Sequence, residues 1–162
     1  MTNIFHSTID SPVGFLEIKT SQDSLLSVSF AKSLLPASGF QPDILKETVR
    51  QINAYFEGTL KSFNLKIQPE GTEFQGKVWE QVAKVEFGKT ATYLEIALKT
   101  GSKNNTRAVG LANGKNPIPI IIPCHRIIGV NGKLTGYAGG IEKKRWLLQH
   151  EQKLSDKIDL LF

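Results

Sequence analysis

The residues of this chain best suited to chemistry are four consecutive ones, Pro123-Cys124-His125-Arg126, which contain its only cysteine. One cysteine cannot form an internal disulfide, so the thiol is either buried apolar packing or a reactive group. The histidine that follows can remove the thiol proton, and the nearby arginine favours the thiolate, which is the nucleophilic form. The residue types therefore indicate a nucleophilic cysteine, with an inert buried cysteine as the alternative.

The segment before the cysteine, from Asn116 to Ile122, is apolar and interrupted by proline. Pro117, Pro119 and Pro123 lack backbone N–H donors, and their presence excludes a helix here. We therefore expect an extended, buried segment that delivers the thiol to a fixed place.

The composition is that of an ordinary globular protein, with 162 residues of which 40% are hydrophobic. A chain of this length holds one domain or two small ones. Its first residues show no basic cap followed by an apolar stretch, and no apolar run approaches the roughly 20 residues of a membrane helix. We expect a soluble, cytoplasmic protein, associated with the nucleoid if its source is prokaryotic, and no membrane partner.

Charge is distributed unevenly along the chain. Residues 1–72 carry 6 Lys and Arg against 7 Asp and Glu, whereas residues 73–162 carry 14 against 8, which gives net charges of −1 and +6. A segregated basic half is typical of a protein that contacts a phosphate backbone, although a merely solvated surface is the alternative.

The first 70 residues predict a small sheet with one helix. Strands are predicted at 4–9, 15–19 and 25–30, with a further one at 63–67. The helical spacing of apolar residues from Leu45 to Phe56 predicts a helix that Asp43 caps and Gly58 ends. The turn-forming residues 68–71 mark a boundary between domains at 1–70 and 71–162.

After this boundary the sequence predicts three short helices. The first is capped by Thr72 and ended by Gly88, the second spans 93–99, and the third spans 105–111. Three compact helices with short turns form a plausible helix-turn-helix, in which the last helix docks on DNA. Many small helical cores share this pattern, so ordinary core packing is the alternative.

The region after the cysteine predicts a hairpin and a final helix. Asn131-Gly132 lies between the apolar stretches 127–130 and 133–137, which favours a two-residue hairpin turn. Glycines on both sides of Tyr137 keep the backbone there free of side chains, as in the wall of a pocket. The alternative is a plain turn into a helix at 141–153.

No metal or phosphate motif is present in the sequence. Gly88-Lys89-Thr90 lacks the preceding strand and the upstream glycine of a phosphate-binding loop. One cysteine and three scattered histidines cannot supply a structural zinc site at familiar spacings. We expect no metal and no cofactor.

Residues 71–151 resemble the O6-alkylguanine-DNA alkyltransferases, the methylated-DNA–protein-cysteine methyltransferase family. The order and separation of short blocks carry the resemblance, which is looser over the first 70 residues. The blocks are Gly71-Thr72-Glu73-Phe74-Gln75, Phe87-Gly88, Thr92-Tyr93, Arg107-Ala108-Val109-Gly110, Asn116-Pro117, Ile122-Pro123-Cys124-His125-Arg126, Gly136-Tyr137-Ala138-Gly139-Gly140 and Trp146-Leu147-Leu148-Gln149-His150-Glu151.

The resemblance implies an α/β, more strictly α+β, fold. It would combine an N-terminal ribonuclease-H-like sheet with helix and a C-terminal winged helix-turn-helix alkyltransferase domain. The implied function is repair of double-stranded DNA by irreversible, stoichiometric transfer of an alkyl group from O6 of guanine to Cys124, after nucleotide flipping. O4-alkylthymine is a second candidate substrate, and a monomer is implied.

The resemblance also implies catalytic roles. Cys124 would accept the alkyl group, His125 would act as a base through a water molecule, and Glu151 would hold the imidazole in the required tautomer. Asn116 would orient the segment that bears the thiol. Tyr93 would protonate the departing guanine ring and crowd the phosphate that must rotate.

Further implied roles concern DNA and the extruded base. Arg107 would enter the base stack in place of the flipped nucleotide, because a base buried in a duplex cannot offer O6 to a thiol. Ala138 stands where some relatives have serine, so a hydroxyl contact to the alkylated oxygen would be absent. The DNA-binding residues would be Tyr93, Arg107, Ala108, Gly110 and Arg126, and the pocket residues Pro119, Ile127, Tyr137 and Ala138.

Two other classes of function remain open at the level of sequence. A binding-only protein, either a damage sensor or a winged-helix regulator, would explain the basic half without chemistry. A cysteine hydrolase would explain Cys124, His125 and Glu151 without DNA.

Overall fold

The computed structural model describes residues 3–160, with side chains described for residues 3–156. The chain divides into two compact units between Glu70 and Gly71. Strands and helices occur in both units, in agreement with the mixed α and β class expected from sequence. Among the described residues, no helix combines the length and the apolar character needed to cross a bilayer.

The first unit is a three-stranded antiparallel sheet covered by one helix. The strands are β1 (Phe5–Ile9), β2 (Phe15–Thr20) and β3 (Leu25–Ala31), in the order β1-β2-β3. The helix α1 (Asp43–Glu57) packs against all three strands. Alternate residues of β2 and one face of α1 are buried because each element covers the apolar face of the other. The core of this unit includes Leu16, Ile18, Leu25, Leu45, Ile52 and Tyr55.

Two details of this unit differ from the sequence prediction. Pro42 rather than Asp43 is the N-cap of α1, and Asp43 is its first residue, where a carboxylate favours the positive end of the helix dipole. Residues 63–67 form no strand within the described chain, because only an isolated parallel bridge joins Ile67 to Leu25. Gly58 ends α1 with a φ of 86°, as predicted.

The second unit consists mainly of helices joined by tight turns. Its helices are α2 (Glu73–Val82), α3 (Tyr93–Lys99), α4 (Thr106–Gly114) and α5 (Ile141–Leu160). Two short strands, β4 (Ala91–Thr92) and β5 (Ile127–Ile128), pair in parallel. Capping boxes at Thr72 with Gln75 and at Thr92 with Glu95 fix where α2 and α3 begin.

Trp79 joins α2 to α4 in the core of this unit. Its indole is 3% exposed, and Nε1 donates a hydrogen bond of 2.8 Å to the carbonyl oxygen of Ala112. Gly71 lies directly against this ring, since a Cβ atom at that position would fall 2.4 Å from a ring carbon of Trp79. The glycine therefore allows the backbone before α2 to pass over the indole.

Three sequence predictions for the second unit are wrong in extent. Helix α4 spans Thr106–Gly114 rather than 105–111. Helix α2 ends at Val82 rather than near Gly88, and the turns that follow keep Val85 buried without a helix. Helix α5 continues to Leu160, beyond the predicted end at 153. The second helix begins and ends where the spacing predicts, at Tyr93 and Lys99.

The predicted hairpin around Asn131-Gly132 forms its turn but not its strands. Asn131 and Gly132 have φ angles of 65° and 76°, and the Gly129 N–H donates to the Lys133 carbonyl at 2.7 Å. However, β5 pairs with β4, and the described residues 133–137 form no strand. The side chain of Lys144 binds the carbonyls of Ile127 and Thr135, which a hairpin ladder would have used.

Replacement of Trp79 by phenylalanine tests the link between α2 and α4. Trp79→Phe keeps an aromatic ring but leaves the buried Ala112 carbonyl without its donor, which costs about 1–3 kcal/mol. We expect a free energy of unfolding lower by this amount in urea denaturation followed by far-ultraviolet circular dichroism. The exposed Lys77→Ala on the same helix should stay within about 0.5 kcal/mol of the parent protein. Equal stability of the two variants would contradict this role for the indole.

Candidate active site

Cys124 begins a single 3-10 turn, Cys124–Arg126, that leads directly into β5. The segment before it is buried, as predicted, but it is not simply extended. Ile120 has a φ of 75°, and the Ile122 N–H donates to the Ile118 carbonyl at 2.9 Å, so the chain makes a tight turn there. A β-branched residue at positive φ is a strained conformation that persists only where the surroundings enforce it.

Two asparagines hold this turn in place. Asn116 Nδ2 donates to the Ile122 carbonyl at 2.8 Å, and its Oδ1 accepts from the Ile118 N–H at 2.9 Å. Asn113, on the buried face of α4, donates from Nδ2 to the Cys124 carbonyl at 3.2 Å. The amide of Asn116 therefore bonds to both ends of the turn, while its role in orienting the thiol for reaction stays a prediction. The part played by Asn113 was not predicted.

The thiol of Cys124 is in an environment that disfavours its ionisation. The residue is 6% exposed, and this burial raises the pKa of the thiol. A hydrogen bond from Asn116 and the charge of Lys144 act in the opposite direction without reversing the shift. The neutral thiol is therefore the resting form, and nucleophilic chemistry at this sulfur needs a base.

The base nearest in sequence, His125, is fully buried and bound to Glu151. Its Nε2 lies 2.6 Å from Glu151 Oε2, while Nδ1 is buried with no hydrogen-bond partner among the described residues. Glu151 lies on α5, which follows the turn that carries Cys124 and His125 after β5 and the loop beyond it. A histidine held through one nitrogen keeps the other available as a proton acceptor.

The Glu151 carboxylate is the centre of a buried polar cluster. Arg126 donates to it from Nε at 2.8 Å and from Nη2 at 3.1 Å, and the Gly88 N–H donates at 3.2 Å. Arg126 Nη1 also donates to the Val85 carbonyl at 2.6 Å. The cluster therefore ties together α5, the cysteine turn and the chain after α2.

Opposing effects set the protonation states within this cluster. Burial opposes ionisation of Glu151, but the hydrogen bonds and charges of His125 and Arg126 outweigh it and lower the pKa of the carboxyl. Burial also lowers the pKa of His125 by more than Glu151 raises it. Arg126 thus neutralises an ionised Glu151, and His125 rests as a neutral imidazole that donates from Nε2 and keeps a lone pair on Nδ1.

Arg126 requires a correction to the sequence prediction. It was expected to bind DNA and to favour the thiolate, but its side chain is 7% exposed and is paired with Glu151. A guanidinium held by a buried carboxylate and a carbonyl cannot reach a phosphate. Its role in the structure is to keep Glu151 ionised.

Tyr93 lies at the start of α3 and faces the loop before α5. Its hydroxyl donates to the Thr135 carbonyl at 3.1 Å and lies 3.5 Å from Lys144 Nζ. Tyr93 lines an open pocket, whose other lining residues are Thr106, Gly110, Gly114, Thr135 and Gly136. The pocket therefore lies between α3, α4 and the start of the glycine-rich segment.

Helix α4 presents Arg107 and Ala108 to solvent, while Val109 and Ala112 face the core. A Cβ atom at Gly110 would lie 3.9 Å from the Tyr93 ring, an ordinary van der Waals distance, so packing against Tyr93 does not require glycine there. The exposed face is therefore available to contact a partner along the helix.

The four residues predicted to form the base pocket differ in exposure. Ala138 is exposed and Tyr137 is half-buried, whereas Pro119 and Ile127 are buried. The Cys124 carbonyl accepts hydrogen bonds from Asn113 Nδ2 and from the Ile127 N–H, and the Ile127 carbonyl accepts one from Lys144 Nζ.

Glu151→Gln tests the buried cluster by removing its negative charge. Because Arg126 then remains buried without a counter-charge, we expect a loss of about 3–5 kcal/mol in the free energy of unfolding at about pH 7. The matched control is Glu142→Gln on the same helix, whose exposed pair with Arg145 contributes about 0–1 kcal/mol.

The pH dependence gives a second measurement on the same variant. Because the pKa of Glu151 is lowered in the folded protein, its stabilisation is complete above about 4.3, the ordinary value for glutamate, and declines as the pH falls below it. The difference between parent and Glu151→Gln in urea unfolding should therefore narrow in acid. A difference that is small at neutral pH would mean that the cluster does not stabilise the fold.

Comparison with known proteins assigns both units to one family. The family model described as "6-O-methylguanine DNA methyltransferase, DNA binding domain" matches residues 73–153. The model for the "ribonuclease-like domain" of the same family matches residues 4–69. The two matches together span nearly the whole chain and lie on either side of the division between the two compact units.

Individual proteins agree with this assignment. A methylated-DNA–protein-cysteine methyltransferase of Methanosarcina acetivorans is 45% identical over 91% of this chain and 98% of its own length. The crystal structure of Mycobacterium tuberculosis O6-methylguanine methyltransferase is 41% identical, with a TM-score of 0.84, over 93% of this chain and 94% of that one. The M. tuberculosis OGT in complex with DNA is 43% identical, with a TM-score of 0.82, over 92% and 93% of the two chains. This chain belongs to the 6-O-methylguanine DNA methyltransferase family.

Proposed function

We propose that this protein repairs O6-alkylguanine in double-stranded DNA by transferring the alkyl group irreversibly to Cys124. The observation that carries the proposal is the position of the only cysteine beside a neutral histidine that a buried carboxylate orients. The relatives are named for transfer from methylated DNA to a protein cysteine, and this chain offers only one cysteine as acceptor.

The chemical step follows from the resting states of the site. His125 Nδ1 accepts the thiol proton through a water molecule, and the Cys124 sulfur attacks the alkyl carbon of O6-alkylguanine. The C–O bond breaks as the S–C bond forms, and the electron pair returns to the guanine ring. The Tyr93 hydroxyl donates a proton to the departing ring, so guanine leaves neutral, and the proton that His125 took from the thiol returns to the tyrosinate through solvent.

Glu151 and Asn116 support this step without touching the substrate. The ionised Glu151 accepts from His125 Nε2 and stabilises the imidazolium that forms when Nδ1 takes the proton. Asn116 holds the tight turn before Cys124 and donates a hydrogen bond that favours the thiolate. Both residues therefore lower the free energy of the thiolate and imidazolium relative to the neutral thiol and imidazole.

The reaction ends with an inactive protein. Alkyl transfer to sulfur gives a thioether, which has no leaving group that water could displace under mild conditions. Each protein molecule therefore accepts one alkyl group, and the proposed reaction uses no cofactor. A monomer in the compartment that contains the DNA, the cytoplasm in a prokaryote, is sufficient for this chemistry.

The exposed face of α4 is the proposed contact with DNA. The 73–162 half carries the net positive charge, which suits a phosphate backbone. Arg107 fills the space of the extruded nucleotide, while Ala108 and Gly110 allow the helix to approach closely. Tyr93 crowds the phosphate that rotates. The base enters the pocket formed by Pro119, Ile127, Tyr137 and Ala138.

Intact mass spectrometry after incubation with an O6-methylguanine duplex tests the transfer. We expect a mass increase of one methyl group per molecule, located on Cys124 by peptide mapping, with the same yield in the presence of a chelator. Cys124→Ala should bind the duplex and gain no mass. Sustained turnover, or a methyl group on another residue, would overturn the stoichiometric mechanism.

Arg107→Ala tests the proposal that Arg107 is a wedge, a side chain that fills the gap left by the extruded nucleotide. The test compares two substrates. Extrusion of a paired base costs a few kcal/mol, so loss of the wedge should slow repair of a duplex by about tenfold or more. Alkyl transfer from a free O6-alkylguanine base needs no extrusion and should keep its rate. The control Lys115→Ala also removes one positive charge, at the C-terminal end of α4. It should weaken duplex binding without the difference between duplex and free base that is expected for Arg107→Ala. Equal slowing of both reactions by Arg107→Ala would show that Arg107 supports the fold or the thiol instead.

A further inference from the structure

Asn113 is a buried polar residue that the proposed mechanism does not use. It lies on α4, is 3% exposed, and donates from Nδ2 to the Cys124 carbonyl at 3.2 Å. Its Oδ1 is also buried and accepts no hydrogen bond from the described residues. An amide that is only half satisfied in the interior is costly, and an apolar side chain would avoid that cost. The residue therefore needs a reason other than stability, and the bond from its side chain leads to the alkyl acceptor.

The carbonyls on either side of the thiol are both fully occupied. The Cys124 carbonyl accepts from Asn113 Nδ2 and from the Ile127 N–H. The Ile122 carbonyl accepts from Asn116 Nδ2 at 2.8 Å and from the Cys124 N–H at 2.7 Å. A carbonyl oxygen has two lone pairs, so each of these oxygens is used by one backbone N–H and one asparagine amide.

Carbonyls of the neighbouring segments are also bound to donors of the protein. The Thr135 carbonyl accepts from the Tyr93 hydroxyl at 3.1 Å and from Lys144 Nζ at 2.8 Å. The Ile127 carbonyl accepts from the same ammonium group at 2.6 Å, in a short charge-assisted bond. An incoming hydrogen-bond donor would therefore have to compete with a donor that is already in place.

These occupied carbonyls matter because the damaged bases differ in their donors. In O6-alkylguanine the 2-amino group is a donor on the same edge of the ring as O6. O6-alkylhypoxanthine has the same ring without this group, and O4-alkylthymine has an acceptor, O2, at the equivalent place. A site with a free acceptor for the 2-amino group selects guanine, because the acceptor is left unpaired by a base that lacks the donor.

The Cys124 carbonyl belongs to the same residue as the reactive sulfur. Because the sulfur must reach the alkyl group on O6, the edge that carries O6 and the 2-amino group must approach the backbone of this turn. Asn113 binds that carbonyl from α4, and Gly110 and Gly114 of the same helix line the open pocket with Tyr93. The asparagine thus occupies an acceptor at the place where the base has to approach.

We propose that Asn113 determines the base specificity of the site: it occupies the Cys124 carbonyl, removes that acceptor for the 2-amino group of guanine, and so allows O4-alkylthymine as a substrate beside O6-alkylguanine. The proposal rests on the proposed function of Cys124 as the alkyl acceptor. It gives Asn113 no part in the making or breaking of bonds. Replacement of Asn113 should therefore change the ratio of rates between substrates, which a purely structural residue would not alter.

Two replacements of Asn113 free the carbonyl. Asn113→Leu keeps the branching of the side chain and removes the amide, while the Cys124 carbonyl keeps its bond from the Ile127 N–H. Asn113→Ala is a second variant that avoids overpacking if leucine is too large for the site. The matched control is Asn104→Leu, the same substitution at an exposed position before α4. Circular dichroism and urea unfolding establish which variants are folded.

The first measurement compares methyl transfer from two duplexes that differ only in the damaged base, O6-methylguanine or O6-methylhypoxanthine. We expect the parent protein to prefer O6-methylguanine by less than about fivefold, the value of one neutral hydrogen bond. The Asn113 variants should increase this preference by about fivefold, and Asn104→Leu should leave it unchanged. Any difference in the cost of extrusion cancels, because the same two duplexes are used for every variant.

Two results of this comparison would overturn the proposal. One is a larger preference for O6-methylguanine in the parent protein, which would mean that the 2-amino group is already read. The other is an unchanged preference in a folded Asn113 variant, which would mean that the amide does not block an acceptor.

The second measurement uses a duplex that contains O4-methylthymine. The parent protein should accept a methyl group from it, and Asn113→Leu should lower this rate relative to that for O6-methylguanine by about fivefold. A parent protein that leaves O4-methylthymine unrepaired, or a ratio that Asn113→Leu does not change, would overturn the assignment of thymine as a substrate.

The third measurement needs no chemistry. Fluorescence anisotropy gives the affinity of Cys124→Ala for the O6-methylguanine and O6-methylhypoxanthine duplexes, with and without Asn113→Leu. Failure of the parent protein to accept a methyl group from any duplex would reject the proposed function. The role of Asn113 would then be decided by binding: a preference for the O6-methylguanine duplex that appears only with Asn113→Leu supports it, and equal ratios would overturn it.

Discussion

The buried carboxylate of Glu151 is the constraint on which the rest of the active site depends. It accepts hydrogen bonds from Arg126 and Gly88 and holds His125 Nε2 at 2.6 Å, so three separate parts of the second unit converge on one side chain. An ionised group that is 1% exposed is tolerable only because Arg126 neutralises it and its oxygens have donors. The same bonds leave His125 neutral, with Nδ1 as the remaining acceptor. The hydrogen bonds of Glu151 therefore both stabilise the fold and set the protonation state of His125.

A second constraint places the thiol relative to this cluster. The tight turn before Cys124 includes Ile120 at a φ of 75°, and Asn116 bonds to both ends of that turn. The strain is compensated by burial of the surrounding isoleucines and by the asparagine bonds. The result is a cysteine at the start of a short 3-10 turn, fixed between α4 and β5, with its ionisation opposed by burial and favoured by Asn116 and Lys144.

The wing-like region after β5 depends on a side chain rather than on a β ladder. Asn131 and Gly132 form the left-handed turn that their types favour, yet the carbonyls of Ile127 and Thr135 are held by Lys144. An ammonium with three donors can bind carbonyls of two segments that do not lie in strand register. The loop keeps an irregular path in this way, and Tyr137 and Ala138 do not lie in a sheet.

The sequence alone determined the local elements and the chemistry of the acceptor. Period-two and period-3.6 patterns located β1 to β3, α1 and α3, and the glycine at 58 located the end of α1, because these depend on neighbours in the chain. The single cysteine and the blocks around it indicated the family and the reaction. The tertiary structure decided what depends on groups distant in sequence: the pairing of Arg126 with Glu151, 25 residues away, and of β5 with β4. The burial of Lys144 on α5 was not predicted from the sequence, and only the folded chain brings it carbonyl acceptors. Burial and pairing of a charge are properties of the whole fold, and no local pattern of residues encodes them.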